Sequence, residues 1–291
     1  MKLVTYSIEN EVKVGIIGTN AEKIVPVSAL GYAAKEMTAF LYEVNGKFDE
    51  ALLARVDAAE GDYFEQCRLL SPIPNPAQDI LCMGVNYKDH QAETVKAGVT
   101  YDQTKTNAIY FGKRLNRAVG PNELIDGHFN IVDSLDYEVE LAVVLGKDAK
   151  DVALEDVQDY VLGYTILNDI SARNLQKKHQ QWYFGKSLDD FTPIGPWIVT
   201  KDELEWLPKV GIRCYVNGEL RQNSNTELMI TNFDYVIHEL SQGMTLKTGT
   251  IIATGTPSGV GMGMNPQVWL NSGDVVRCEI DGIGVLENTV K

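Results

Sequence analysis

Three acidic residues have a spacing and a setting that suit metal binding. Glu138 and Glu140 lie two positions apart in the strand-like run LDYEVELAVVLG, so their side chains project from the same face of a strand. Asp169 ends the segment YTILND, which follows in the chain. Converging carboxylates repel one another unless a cation lies between them, and carboxylate oxygens favour Mg²⁺ or Mn²⁺. The sequence therefore predicts a divalent-metal site. The alternative is that both glutamates form the solvated face of an edge strand.

A second chemical feature is a histidine three positions before a glutamate. The segment YKDHQAET can begin a helix, where residues three apart share one side. His90 beside Glu93 would then be a general base, with Glu93 fixing the tautomer of the imidazole or taking the proton itself. The alternative is an ordinary surface pair. The polar residues 91–107 contain Gly98, and we interpret them as a lid.

A lysine and a glycine-rich segment complete the candidate chemistry. Lys186 lies between an aromatic cluster and the turn-rich TPIGP. A lysine in such surroundings can have a lowered pKa and polarise an oxygen. The alternative is that Lys186 is an ordinary surface lysine. The run IIATGTPSGVGMGMNP places a strand before a glycine-rich loop. It does not match a nucleotide-binding loop, because no Gly-Lys-Ser/Thr follows. Its small residues instead let backbone N–H groups and the Thr256 hydroxyl approach a carboxylate.

Composition limits the class of protein. The chain has 291 residues and a formal net charge of −14, which argues against a broad nucleic-acid or anionic-membrane surface but not against a small anionic substrate. Its four cysteines are scattered, which is typical of reduced thiols in a reducing compartment. The first residues form no secretory apolar region, and no apolar run is long enough to span a membrane. We expect a soluble, cytoplasmic protein.

The pattern of predicted elements indicates an α+β, β-rich fold with two domains. The predicted strands are 2–8, 11–17, 23–27, 109–113, 275–280 and 283–290, with a hairpin at Asn217-Gly218, and the predicted helices are 33–42, 48–59, 151–162 and 232–242. Alternating prolines in SPIPNP predict an extended linker. We therefore predict a small N-terminal α+β domain over 1–71 and a larger domain over 72–291.

Six segments, taken in order, resemble the fumarylacetoacetate hydrolase family. They are CMGVNYKDHQAE, LDYEVELAVVLG, YTILNDISARNLQ, FGKSLDDFTPIGPW, VNGELRQ and TGTPSGVG. The similarity extends from about residue 72 to the end. It implies a mixed β-sandwich roll in the larger domain, a homodimer, and Mg²⁺ or Mn²⁺ held by Glu138, Glu140 and Asp169.

The resemblance also implies roles for individual residues. His90 and Glu93 match the family's catalytic pair, in a segment that closes over the substrate, and Lys186 matches its catalytic lysine. The positions that line the substrate or support the metal are Arg173, Gln176 and Thr256. Asn174 departs from the family pattern, which has Asp there, and this affects hydrogen bonding around the metal ligands more than the ligands themselves.

Residues and resemblance together predict a metal-dependent hydrolase that cleaves a C–C bond in an acylpyruvate or another 2,4-dioxo acid. A 2-oxo acid can bind the cation through its keto and carboxylate oxygens, and the cation stabilises the enolate left by bond cleavage. His90 and Glu93 would activate water, and a protonated Lys186 would offset the one excess negative charge of three carboxylates around a dication. The alternatives are an oxaloacetate decarboxylase, a hydratase or isomerase of unsaturated 2-oxo acids, and a non-catalytic metabolite-binding protein.

Overall fold

Two large β-sheets and six short α-helices make up the protein, in a computed structural model that describes residues 1–96, 107–179 and 181–291. The strands are β1 (Lys2–Ile8), β2 (Glu11–Ile17), β3 (Lys23–Pro26), β4 (Asp62–Tyr63), β5 (Arg68–Leu69), β6 (Ile80–Gly84), β7 (Ile109–Lys113), β8 (Leu124–Ile125), β9 (Leu135–Asp136), β10 (Val139–Leu145), β11 (Val161–Asn168), β12 (Ser171–Ala172), β13 (Ile194–Thr200), β14 (Gly211–Val216), β15 (Glu219–Asn225), β16 (Ile251–Ala253), β17 (Val275–Ile280) and β18 (Gly284–Val290). The α-helices are α1 (Met37–Val44), α2 (Glu50–Ala58), α3 (Lys88–Lys96), α4 (Arg173–Lys178), α5 (Tyr183–Lys186) and α6 (Phe233–Ser241). These elements confirm the predicted α+β, β-rich class. No helix in the described ranges is long and apolar enough to cross a membrane.

The larger sheet places β10 in its interior. Its strand order is β4-β3-β2-β1-β13-β11-β10-β16-β6-β7, with β5 also paired to β1. The second sheet has the order β15-β14-β17-β18-β8, and β12 pairs with β9. Most neighbouring strands are antiparallel, whereas β16 and β6 run parallel. Since β10 is hydrogen bonded to both β11 and β16, the edge-strand interpretation of Glu138 and Glu140 is wrong.

Both faces of β10 are buried. Val139, Leu141 and Val143 lie in a hydrophobic cluster that includes residues of β14, β17 and β18 from the second sheet, as their alternation predicts. Ala142 and Val144 lie in a second cluster, with residues of α1 and α2. The strand is therefore fixed from two sides, which also fixes the direction of the carboxylates at its N-terminal end.

The N-terminal strands follow the sequence prediction closely. β1 and β2 have the predicted bounds, and the turn between them places Glu9 and Asn10 at φ 51° and 67°, as a tight hairpin requires. β1 also pairs with β13, so the larger sheet continues across residue 71. The proline segment is packed against β1, where the Thr5 hydroxyl donates to the Pro72 carbonyl at 2.8 Å. The domain boundary at residue 71 stays a prediction.

One predicted helix is wrong. Residues 151–162 form only a 3₁₀ turn, Leu154–Asp159, and β11 begins at Val161. Val157 is buried but Leu154 is 45% exposed, so the apolar stripe does not face one core. Pairing with β10 and β13 takes the residues from Val161 onward into the sheet, which overrides their helical periodicity. The Asn217-Gly218 hairpin, the helix near 232–242 and free cysteines are confirmed.

Candidate active site

The predicted metal ligands converge at the paired ends of β10 and β11. The Asp169 N–H donates to the Glu138 carbonyl at 2.8 Å, and the Glu138 N–H donates to Asn168 Oδ1 at 3.0 Å. One carboxylate oxygen from each of Glu138, Glu140 and Asp169 lies within 4.8 Å of the others. The three side chains are 5%, 1% and 0% exposed, respectively. The strand register therefore assembles a buried cluster of three carboxylates, which we call the acidic triad.

Three buried cations surround the acidic triad. Lys186 Nζ bridges Glu138 Oε2 at 2.7 Å and Asp169 Oδ2 at 2.6 Å. Arg173 Nη2 donates to Glu138 Oε1 at 2.6 Å. Lys113 Nζ, at the end of β7, donates to Asp169 Oδ1 at 2.6 Å and to the Ile170 carbonyl. The sequence analysis missed Lys113, although its place as the last residue of a predicted strand, IYFGK, was a usable signal.

Glu138, just before β10, and Glu140, within it, differ in their charge environment. Burial favours the neutral form of both. At Glu138, the charges of Lys186 and Arg173 outweigh burial and hold the pKa well below its usual range. At Glu140, burial and repulsion from Asp169 and Glu138 raise the pKa well above that range. Within the described ranges, Glu140 makes no ion pair with lysine or arginine. It is the carboxylate whose ionisation most needs an added cation.

The two buried lysines, Lys113 and Lys186, also differ in their charge environment. Burial alone lowers the pKa of both lysines, but Asp169 and Glu138 together raise the pKa of Lys186 above its ordinary value. The expected lowered pKa of Lys186 is therefore wrong: its aromatic neighbours are real, since Phe111 lies 5.3 Å away, but two carboxylates dominate. Lys113 has one carboxylate partner, and burial keeps its pKa lowered.

The predicted contact between His90 and Glu93 forms on α3. His90 Nδ1 lies 3.0 Å from Glu93 Oε2, and His90 is only 5% exposed, so the pair is not an ordinary surface pair. An ionised carboxylate can only accept, so Nδ1 carries the proton and Nε2 keeps its lone pair in the neutral ring. His90 is also close enough to Glu138 to contribute to its lowered pKa. The predicted lid over 91–107 lies mostly at 97–106, outside the described residues.

The glycine-rich loop, defined here as residues 255–263, binds carboxylates of the protein itself through its backbone. The Gly255 N–H donates to Glu140 Oε2 at 2.6 Å, and the Gly259 N–H donates to Glu93 Oε1 at 2.9 Å. The Thr256 hydroxyl donates to the Val139 carbonyl at 2.9 Å, so the expectation that this hydroxyl binds a carboxylate is wrong. The loop thus contacts both the acidic triad and the Glu93 partner of His90. A substrate-binding role for Thr256 stays a prediction.

Asp136 is a functional candidate that sequence reasoning missed. It is fully buried and accepts hydrogen bonds from the Gly261 and Met262 N–H groups at 2.7 and 3.0 Å and from Arg173 Nε at 2.8 Å. Its position two residues before Glu138 repeats the alternation of Glu138 and Glu140, which was an available signal.

The residues of α4 that are predicted to bind substrate lie next to the acidic triad. Arg173 Nη1 donates to Gln176 Oε1 at 3.1 Å, so the two predicted residues are in contact. Asn174 points elsewhere and donates to the Ile131 carbonyl at 2.9 Å, which removes its side chain from the hydrogen bonds around the metal ligands. Substrate-binding roles for Arg173 and Gln176 stay predictions.

The acidic triad fits a hard divalent cation. Its donors are all carboxylate oxygens, the ligands that Mg²⁺ and Mn²⁺ prefer, and Glu140 offers a buried oxygen donor with no cationic partner of its own in the described ranges. Counting Asp136, four carboxylates face three cations, so the expected balance, in which a dication and Lys186 offset three carboxylates, was incomplete. A dication would turn one formal negative charge into one positive charge, which suits an anionic substrate.

Comparison with known proteins places this architecture in a family. A sequence profile described as fumarylacetoacetate (FAA) hydrolase C-terminal matches residues 79–291. Oxaloacetate tautomerase YisK of Bacillus subtilis (strain 168) is 43% identical over 225 residues, covering 77% of this chain and 73% of the relative. The mitochondrial oxaloacetate tautomerase fahd2 of Xenopus laevis is 43% identical over 224 residues, covering 76% of this chain and 68% of the relative.

Solved structures agree with the sequence comparison. Fumarylacetoacetate hydrolase from psychrophilic Exiguobacterium antarcticum has a TM-score of 0.84 and 36% identity, covering 100% of this chain and 99% of that chain. Maleylpyruvate hydrolase from Sphingobium sp. SYK-6, in complex with manganese(II) ion and pyruvate, has a TM-score of 0.77 and 28% identity, covering 100% of this chain and 98% of that chain. The predicted fold is confirmed. The chain belongs to the fumarylacetoacetate hydrolase family.

Proposed function

We propose that this protein is a divalent-metal-dependent enzyme that interconverts the enol and keto forms of oxaloacetate or a closely related 2-oxo diacid. The observation that carries the proposal is a buried acidic triad close to a histidine whose Nδ1 is held by Glu93. Two relatives, each 43% identical, bear the name oxaloacetate tautomerase, which supports this substrate over other 2-oxo acids.

The cation would be Mg²⁺ or Mn²⁺, held by Glu138, Glu140 and Asp169; manganese in the maleylpyruvate hydrolase structure supports the choice. When bound, such a cation supplies a Lewis acid for the keto oxygen and a charge for the carboxylate of a 2-oxo acid. Lys113 and Lys186 hold Asp169 from two sides, so the ligand cannot rotate away. Arg173 and Lys186 do the same for Glu138.

The chain's own contribution to the reaction is proton transfer at His90. Conversion of the enol to the keto form removes the proton on the C2 oxygen and adds one at C3, so no atom leaves and no water is consumed. His90 Nε2 takes or gives that proton, while Glu93 holds Nδ1–H and stabilises the imidazolium. Lys186, with a raised pKa, stays protonated and stabilises negative charge on the substrate oxygen.

Hydrolysis of a C–C bond, the reaction that the sequence predicts, is the second candidate. The structural similarity to maleylpyruvate hydrolase supports it. The same His90 Nε2 would deprotonate a water molecule instead of the substrate, and the substrate would be an acylpyruvate or another 2,4-dioxo acid. Decarboxylation of oxaloacetate at this site is a further outcome that product analysis distinguishes.

A product assay with Mg²⁺ separates these reactions. Enol-oxaloacetate and acetylpyruvate are supplied side by side, and the keto form, CO₂, pyruvate and acetate are quantified against buffer with Mg²⁺ alone. The proposal predicts faster ketonisation with CO₂ at background level. Pyruvate plus acetate from acetylpyruvate would favour the hydrolase, and CO₂ well above background would favour the decarboxylase. No turnover of either compound would contradict the proposed function.

We also propose that the protein is a cytoplasmic homodimer, with residues 1–71 as a small domain of its own. The family resemblance supports the dimer, and the composition supports the location. Light scattering coupled to size-exclusion chromatography tests the dimer: a mass near 65 kDa, twice the chain's 32.3 kDa, is expected, and a monomeric mass would contradict it.

A further inference from the structure

The glycine-rich loop connects the two chemical parts of the site. At its start, the Gly255 N–H holds Glu140 of the acidic triad. Further along, the Gly259 N–H holds Glu93 Oε1, the oxygen not bonded to His90. One short segment therefore sets the position of a metal ligand and of the residue that orients the base.

Gly263, the last residue of this loop, faces Glu93 directly. A methyl group built on its Cα would lie 2.0 Å from both Cδ and Oε1 of Glu93 and 2.2 Å from its Cγ. The backbone of Gly263 is not in the left-handed region, so an alanine is allowed there by its own dihedral angles. A methyl group at this position would therefore have to displace the Glu93 carboxylate.

We propose that Gly263 is a positioning residue: its missing side chain leaves the space in which Glu93 holds the His90 imidazole in the tautomer with a free Nε2. This inference rests on the proposed role of His90 as the base. The loop fixes Glu93 by the Gly259 N–H on one oxygen and by close contact with Gly263. In this arrangement Oε2 accepts from Nδ1.

The expected consequence of filling this space is confined to the base. A displaced Glu93 no longer fixes the tautomer of His90, and misplacement of about 1 Å can cost about 100-fold in rate. The acidic triad is tied to the loop eight residues earlier, at Gly255, and by the register of β10 with β11. Metal binding should therefore survive the change.

The test is Gly263→Ala, with Gly112→Ala as the matched control. Gly112 lies in β7 outside the left-handed region, and a methyl group there meets nothing within 4 Å. Three quantities are measured: kcat and KM for oxaloacetate ketonisation, the ¹⁵N chemical shifts of His90, and the Kd for Mn²⁺. We expect Gly263→Ala to lower kcat about 100-fold and to give His90 a mixture of tautomers, with the Kd for Mn²⁺ unchanged. Gly112→Ala should resemble the parent protein.

A double-mutant cycle shows whether the effect passes through Glu93. If it does, adding Gly263→Ala to Glu93→Ala should cause no further loss. A fully additive loss, a single parent-like tautomer in Gly263→Ala, or weakened Mn²⁺ binding in that variant would overturn the inference. If the parent protein turns over neither oxaloacetate nor acetylpyruvate, the proposed function fails. The ¹⁵N shifts and Mn²⁺ affinities then still decide the role of Gly263.

Discussion

The two halves of the site are built in different ways. The acidic triad is fixed by the register of two interior strands and by three buried cations, which arrive from β7, α4 and α5. His90 and Glu93 lie on α3. Glu93 is also held by the Gly259 N–H, which comes from a loop 166 residues away in the chain. The acidic triad is thus held by strand pairing and several ion pairs, whereas His90 and Glu93 depend on a few hydrogen bonds. Substitutions should therefore separate metal binding from proton transfer.

The largest effect should follow from removing Glu138. Glu138→Ala deletes a metal ligand and leaves Arg173 and Lys186 buried with one fewer carboxylate. We expect no detectable turnover, loss of Mn²⁺ binding by calorimetry, and a free energy of unfolding lower by about 3 kcal/mol, measured with urea in the presence of EDTA. The control is Glu287→Ala, at a 41% exposed ion pair, where about 0.5 kcal/mol is expected. Parent-like Mn²⁺ affinity in Glu138→Ala would contradict the assignment.

Removal of the base should affect only the rate. His90→Gln is expected to lower kcat by about 10²–10⁴-fold, because the glutamine amide is not a base and cannot replace Nε2, while the Kd for Mn²⁺ stays within about threefold. His238→Gln is the matched control, since His238 contacts the Val152 carbonyl away from the site. If His90→Gln weakened Mn²⁺ binding as much as turnover, the two halves would not be separable.

A residue that touches no metal should still affect the metal side. Asp136→Asn turns an oxygen that accepts from Arg173 and the Met262 N–H into a donor, or leaves another of its donors unpaired. Because Arg173 also holds Glu138, we expect Mn²⁺ affinity and turnover both to fall about 10-fold. Calorimetry and steady-state kinetics measure the two. Parent-like Mn²⁺ affinity would show that this connection carries no energy.

The smallest effect is a pH dependence of the metal-free protein. The raised pKa of Glu140 means that the folded state binds a proton the unfolded state has released, so stability is lost as pH rises above about 4.5. Glu140→Gln mimics the neutral form and removes this loss. In EDTA, the Tm of the variant minus that of the parent should therefore increase with pH, by about 3 °C or more. A difference that stays constant with pH would contradict the environment assigned to Glu140.

The convergence of the acidic triad could be predicted because local rules place its members. Extended alternation puts Glu138 and Glu140 on one side at the start of β10, and Asp169 directly follows the neighbouring strand β11. Lys113 could not be placed in this way, since its contact with Asp169 joins residues 56 apart and depends on the strand order of the larger sheet. Asp136 shared the alternation, but its partners come from α4 and the glycine-rich loop, which no local pattern brings together.

The contrast between local patterns and tertiary contacts also explains which other elements were predictable. The Glu9-Asn10 and Asn217-Gly218 turns were predictable because the left-handed backbone that a tight hairpin turn requires is set by the turn residues themselves. The helix predicted over 151–162 failed because pairing across the sheet decided the structure from Val161 onward. In the glycine-rich loop, the sequence indicated backbone N–H groups that bind a carboxylate. Only the tertiary structure shows that the protein's own Glu93 and Glu140 are bound.

We propose that the acidic triad binds a divalent cation that is needed for proton transfer at His90 on a 2-oxo acid. The most direct measurement is the rate of enol-to-keto conversion of oxaloacetate by the protein after EDTA treatment and after Mg²⁺ is restored, each corrected for buffer of the same composition. We predict a rate at background level in EDTA, recovery with Mg²⁺, and no recovery in Glu138→Ala. An equal rate above background with and without Mg²⁺ would contradict the claim.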